Sequence, residues 1–160
     1  MKITQEKFIQ IGLVIATCVM TILRFLWNEK GRVNPDSLRF MRTSKVFPEV
    51  DNTTTPLGYP LSLKFFTLFG LDDFWASKTI GVLAYLFLVI FAWKKKVYLK
   101  EIILIGGLFS FVSIFSYTMS ETLILPIIFI FLYLAHQIIK EELRGLNALF
   151  ISKFNFNCFV

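Results

Sequence analysis

From residue 102 to residue 139 the chain is apolar almost without interruption. That is roughly twice the ~20 residues one helical crossing of a bilayer needs. Only "SYTMSE", residues 116–121, breaks the run, so it reads as two spans joined by a tight hairpin. Two shorter apolar runs, 8–27 and 76–93, come before it. Soluble helices and strands return a polar residue every turn or every second position, and these blocks do not. The predicted fold is all-α: a polytopic membrane protein with about four transmembrane helices (8–27, 76–93, 102–118 and 120–139). Its first loop, 28–75, is expected to be extracytoplasmic and to contain short interfacial helices. Composition agrees, since 56% of residues are hydrophobic and nineteen are Phe. Soluble domains sit near 45–50%.

The amino terminus is expected to form an uncleaved first span rather than a signal peptide. Lys2 and Lys7 precede the first run, but no small-residue cleavage site follows, and the run continues through Arg24 to Trp27. "IATC" before Cys18 places Thr17 where a lipoprotein box needs Gly, Ala or Ser. Cys18 and Cys158 lack metal or disulfide spacing. His136, beside Gln137, reads as an interfacial or packing residue, with no clustered ligands around it.

The formal charge of +6 lies between apolar runs rather than along one soluble face, which argues for orientation in a bilayer and against nucleic acid. "KKKVYLK", residues 94–100, carries four Lys and no acid, so it is expected in the cytoplasm. Counting across spans places Lys2, Lys7, Lys140 and Arg144 on the same side, with both termini cytoplasmic. The 28–75 loop and the 116–121 hairpin then lie outside. In that loop Lys30, Arg32, Arg39, Arg42, Lys45 and Lys64 are balanced by Glu29, Asp36, Glu49, Asp51, Asp72 and Asp73.

Within the loop, Asn34 can cap a helix that Pro35 opens, with Asp36 and Ser37 in its first turn. Further on, Leu61, Phe65, Leu68 and Phe69 share one helical face, as in a helix lying on a bilayer surface. Gly106 and Gly107 form a small-residue patch for close helix approach, and Pro126 is expected to kink the last span. Phosphate loops, nucleophile elbows and metal-spaced His or Cys sets do not occur. What remains is a set of acids assigned to one side, Asp36, Asp51 and Glu121, with Arg39, Arg42 and Tyr59 as partners. A carboxylate just beyond a span can serve as a general base. Each acid also has a plain structural explanation: the helix dipole for Asp36, a solvated turn for Asp51, and a helix start after Ser120 for Glu121.

An amino-terminal span, a loop opening with "DSLRF", and then "TTTPLGYPLSLKFFTLFG" resemble the integral-membrane glycosyltransferases of the C superfamily. The nearest type is that of the protein mannosyltransferases and aminoarabinose transferases. "SYTMSETLILPIIFIFLYLA" is similar to the Ser-Glu-Thr-Leu entry into a later span of that family, and the likeness covers about residues 8–140. It implies transfer of a sugar from a polyprenyl-phosphate carrier to a lipid, glycan or protein acceptor at the extracytoplasmic face, in a bacterial plasma (inner) membrane. Asp36 then matches the acid that deprotonates or orients the acceptor. Glu121 matches the Ser-Glu position, which implies a place in the lipid-phosphate or sugar pocket, and Pro56, Tyr59 and Pro60 match the turn that shapes the loop. Independently of the resemblance, Arg39 and Arg42, about one turn beyond Asp36, can hold a carboxylate or phosphate by charge-assisted hydrogen bonds. Arg39, Arg42, Tyr59 and Glu121 are thus the expected substrate-binding residues. A divalent metal cofactor is left open.

The chain departs from the family where Ser37 replaces a second carboxylate and where Thr55, not His, precedes Pro56. The family also has more spans and a soluble carboxy-terminal domain. This chain is therefore expected to be an amino-terminal fragment or truncated product, with residues 1–144 in the transmembrane part and 145–160 as a tail. By itself it is not expected to be fully active. The rival class is a non-catalytic membrane protein, whether scaffold, transporter part or complex subunit, which needs no acids converging on one pocket.

Overall fold

The computed structural model describes residues 5–27, 35–48 and 56–156, and every regular element among them is an α-helix. Three helices are long and apolar enough to cross a membrane: α1 (Gln5–Trp27), α4 (Asp73–Lys95) and the helix beginning at Glu121. At 1.5 Å per residue, about 20 residues cover the ~30 Å hydrocarbon layer. The chain is an all-α, polytopic integral membrane protein.

The third expected span, 102–118, is not one helix. It is two, α5 (Leu99–Gly106) and α6 (Phe109–Ser116), each of eight residues. The glycine pair explains the break. Gly107 ends α5 with its N–H on the Ile103 carbonyl at 3.2 Å, and Leu108 tightens the turn onto Ile105 at 3.0 Å. Leu108 then goes extended (ψ 141°) before α6 begins. Gly106 does serve close approach, because a Cβ there would lie 2.5 Å from the Tyr85 ring.

The broken segment runs beside two helices. Along α1 the matched pairs are Glu6 with Lys100 (2.5 Å), Thr17 beside Gly107, and Arg24 donating to the Ser113 hydroxyl, so the two run parallel. Against α4 it runs antiparallel: Tyr85 meets the Phe115 ring (5.6 Å between centroids), and Lys78 donates to the Ser116 carbonyl. The closest approach is at Gly81, where a Cβ would sit 2.1 Å from the Phe115 carbonyl oxygen.

The described residues of the first loop form two short helices. Helix α2 (Pro35–Val46) starts at Pro35, and α3 (Gly58–Thr67) follows; Asn34 and Asp51 lie outside the described residues. Phe40 and Met41 of α2, Tyr59 and Leu63 of α3, and Ala76 and Ile80 of α4 form one buried cluster, edged by Phe66, Leu71, Phe74 and Leu123. Lys45 ties α2 to Asp73 at 2.8 Å, and that carboxylate raises the Lys45 pKa. On α3 the opposite face, Leu61 and Phe65 continuing to Leu68 and Phe69, is exposed, with Phe65 and Phe69 packed edge to face. Two apolar faces on one short helix fit a position between protein and bilayer surface.

The last helix, α7 (Glu121–Phe156), begins where expected. The Leu123 and Ile124 N–H groups bond the Ser120 carbonyl at 3.0 and 3.1 Å. The Ser120 hydroxyl turns to the Glu121 carboxylate (3.4 Å) instead of capping the backbone. From Ile127 onward α7 forms a compact unit of its own, with Ile127, Phe131, Leu134 and Ile138 exposed. It continues past residue 145, where the sequence predicts a tail, as far as Phe156.

A buried polar junction and the candidate functional site

The turn between α6 and α7 contains the end of one helix and the start of the next, so it carries carbonyls and N–H groups with no partner inside either helix. At membrane depth such groups must be satisfied by protein. Side chains from three other helices converge on them. The Ser37 hydroxyl of α2 donates to the Thr118 carbonyl at 2.9 Å. The Thr118 hydroxyl shares a 2.8 Å hydrogen bond with Ser77 of α4, and Ser77 shares one of 3.1 Å with the Tyr59 hydroxyl of α3. Lys78, next to Ser77, donates to the Ser116 carbonyl. Thr122 closes the turn by donating back to the Ile114 carbonyl at 3.1 Å. Tyr59, Ser37, Ser77, Ser116, Thr118 and Thr122 are all fully buried.

Tyr59 is therefore not at an open substrate surface. Burial pushes its phenol up to about 12, helped by the nearby Glu121 charge and opposed by its bonds to Ser77 and the Met119 backbone. At neutral pH it keeps its proton and acts as a hydrogen-bonding group, not as a base.

Asp36, Arg39 and Arg42 are exposed, and so is Glu121. Three-residue spacing along α2 keeps the first three on its outer side, while Ser37, Phe40, Met41 and Ser44 turn inward. The Ser37–Thr118 bond fastens the first turn of α2 to the turn that ends at Glu121. Asp36 and Glu121 thus belong to the same end of the bundle. The bond calls for a donor at position 37. A carboxylate there would set acceptor against acceptor at the Thr118 carbonyl, whereas serine donates.

Two cations matter more than sequence reasoning anticipates. Arg24, read as a snorkelling residue, reaches α6 at Ser113 and lies 6.0 Å from the Tyr117 ring centroid. Lys78, read as standing at the mouth of a span, is only 3% exposed. Beside it is a cleft of about 240 Å³ lined by Ile22, Trp75, Lys78, Thr79, Val82 and Leu83. The available signal was an ionisable side chain inside an apolar helix, which is costly unless it has a task. Of the turn residues, Pro60 is fully buried and Pro56 exposed. His136 is exposed on α7, and among the described residues no three His, Cys, Asp or Glu side chains are grouped to hold a metal. No family model, curated protein or solved structure matches this chain.

Proposed function

We propose that the chain is part of a membrane glycosyltransferase that moves a sugar from a polyprenyl-phosphate donor to an acceptor at the extracytoplasmic face. The observation that carries this reading is the Ser37–Thr118 hydrogen bond, which gathers Asp36 and Glu121 at one end of the bundle. Asp36 takes the acceptor proton, and Arg39 and Arg42 hold donor phosphate by charge-assisted hydrogen bonds. Glu121 lines the sugar side. The apolar cleft formed by Ile22, Trp75, Val82 and Leu83 offers the prenyl chain a wall. Tyr59 shapes the floor and does not touch substrate.

The experiment is photocrosslinking in reconstituted membranes with a diazirine-bearing polyprenyl-phosphate sugar. Labelling should map to α1, α4 or the 116–121 turn and be competed away by unlabelled polyprenyl phosphate. Folded protein that takes up no competable label would overturn the reading. A second reading, a non-catalytic subunit, is favoured by one observation: the hydroxyls of the junction satisfy one another, as in a structural joint.

The proposal also needs the acids outside the cell. With Cys18 and Cys158 replaced by Ser, an impermeant thiol reagent on intact cells is expected to label Asn52→Cys and to leave Lys96→Cys unlabelled. Labelling of Lys96→Cys would reverse the orientation and separate the acids from an exported donor sugar.

A further inference from the structure

The turn between α4 and α5 places side chains where backbone geometry favours glycine. Helix α4 closes with paired hydrogen bonds, Val97 N–H to the Ala92 carbonyl (3.1 Å) and Lys96 N–H to the Trp93 carbonyl (3.3 Å). In that closure the residue after the helix is left-handed and is most often glycine. Here it is Lys96 (φ 55°), and two residues later Tyr98 is left-handed as well (φ 51°). After α3, where the chain also needs a left-handed residue, it uses Gly70 (φ 83°). Side chains are thus retained in the α4–α5 turn against the local backbone preference, which calls for a reason beyond the turn itself.

Those side chains form a pattern. Lys94, Lys95 and Lys96 are all exposed at the end of a membrane-crossing helix. Trp93 (65% exposed) and Tyr98 (60%) flank them. Trp and Tyr at the end of a span settle at head-group level, with the ring in the apolar layer and the polar edge in water. The lysines are then held in the plane of the lipid phosphates. Lys100, the fourth lysine of the run, is engaged with Glu6. We propose that Lys94, Lys95 and Lys96, levelled by Trp93 and Tyr98, form a seat for the phosphate head groups of anionic lipids in the adjoining leaflet. The occupant is a lipid and not a soluble polyanion, because the two exposed rings put the cations against the bilayer surface. The inference needs only that α4 crosses a membrane, and it stands apart from the enzyme reading.

The test uses the full chain in mild detergent with equal amounts of phosphatidylglycerol and phosphatidylcholine, retained lipids being counted by native mass spectrometry. The wild-type chain should retain phosphatidylglycerol preferentially. Each lysine near an acidic surface is worth on the order of fivefold, so Lys94→Gln, Lys95→Gln and Lys96→Gln together should cut the preference more than tenfold. Lys96→Gly relaxes the left-handed backbone while removing one charge. It should lower the preference about fivefold in a protein at least as stable, which separates charge from folding. Equal retention of both lipids by the wild type, or an unchanged preference in Lys96→Gly, would overturn the proposal. Loss of the bound lipid to excess inorganic phosphate would also overturn it, by marking a site for free anions.

Discussion

Alanine at Gly81 is expected to remove most of the folded protein. The new Cβ would lie 2.1 Å from the Phe115 carbonyl oxygen, a backbone atom that no rotamer change can move aside. Helices α4 and α6 would have to separate by more than an ångström. The same face of α4 carries Ser77 and Lys78, whose bonds to Thr118 and the Ser116 carbonyl depend on that spacing. Overpacking a tight contact costs about 1–3 kcal/mol, and each buried polar group left unpaired costs about 1–3 kcal/mol more. The sum rivals the whole stability of an ordinary domain, about 5–15 kcal/mol. Thermal melting in detergent is the measurement, with Gly12→Ala as the comparison. A Cβ at Gly12 meets nothing within 4 Å, so that variant should gain up to about 1 kcal/mol of helix propensity. Equal melting of the Gly81→Ala and wild-type chains would mean that α4 and α6 do not touch as described.

What could be read in advance was whatever depends on run length and local chemistry. Long apolar runs became α1, α4 and α7 because a helix is the one way for a single chain segment to satisfy its backbone across a bilayer. Pro35 opens α2 because its fixed φ and missing N–H suit a first helical position. The face of Leu61 and Phe65 followed from helical period alone. The break at Gly107 did not follow, because one glycine pair serves two ends that look alike in sequence. Gly106 lets the Tyr85 ring in, while Gly107 ends the helix. The junction was hidden for a related reason. Ser37, Ser77 and Thr118 are residues found at any cap or turn, and only their meeting across 81 and 41 positions of sequence makes them a unit. Tyr59 looked like a partner for the acids and is instead fully buried, hydrogen-bonded to Ser77.

Asp36→Asn separates the proposed chemical role of this end of the bundle from its structural one. Asparagine keeps the size of the side chain and can still cap nearby N–H groups, but it cannot take a proton from an acceptor hydroxyl. A positioned general base contributes about 10²–10⁴-fold, so transfer from a polyprenyl-phosphate sugar is expected to fall by that factor. The assay belongs in a protein that carries this chain together with the further spans its family resemblance implies. If Asp36 served only the dipole of α2, the change would cost about 0.3–1 kcal/mol of stability and leave transfer intact. Ser37→Ala makes the opposite cut. It removes the donor to the Thr118 carbonyl, leaves that buried carbonyl short of a partner, and should cost about 1–3 kcal/mol. Its exposed neighbour Asp36 stays in place, so turnover per folded molecule should hold within a few-fold at a lower melting temperature. Loss of transfer in Asp36→Asn at normal membrane abundance, beside a destabilised but active Ser37→Ala, is the pattern the enzyme reading requires. Full transfer by Asp36→Asn would leave its carboxylate as the first turn of a helix and return this end of the bundle to a structural joint.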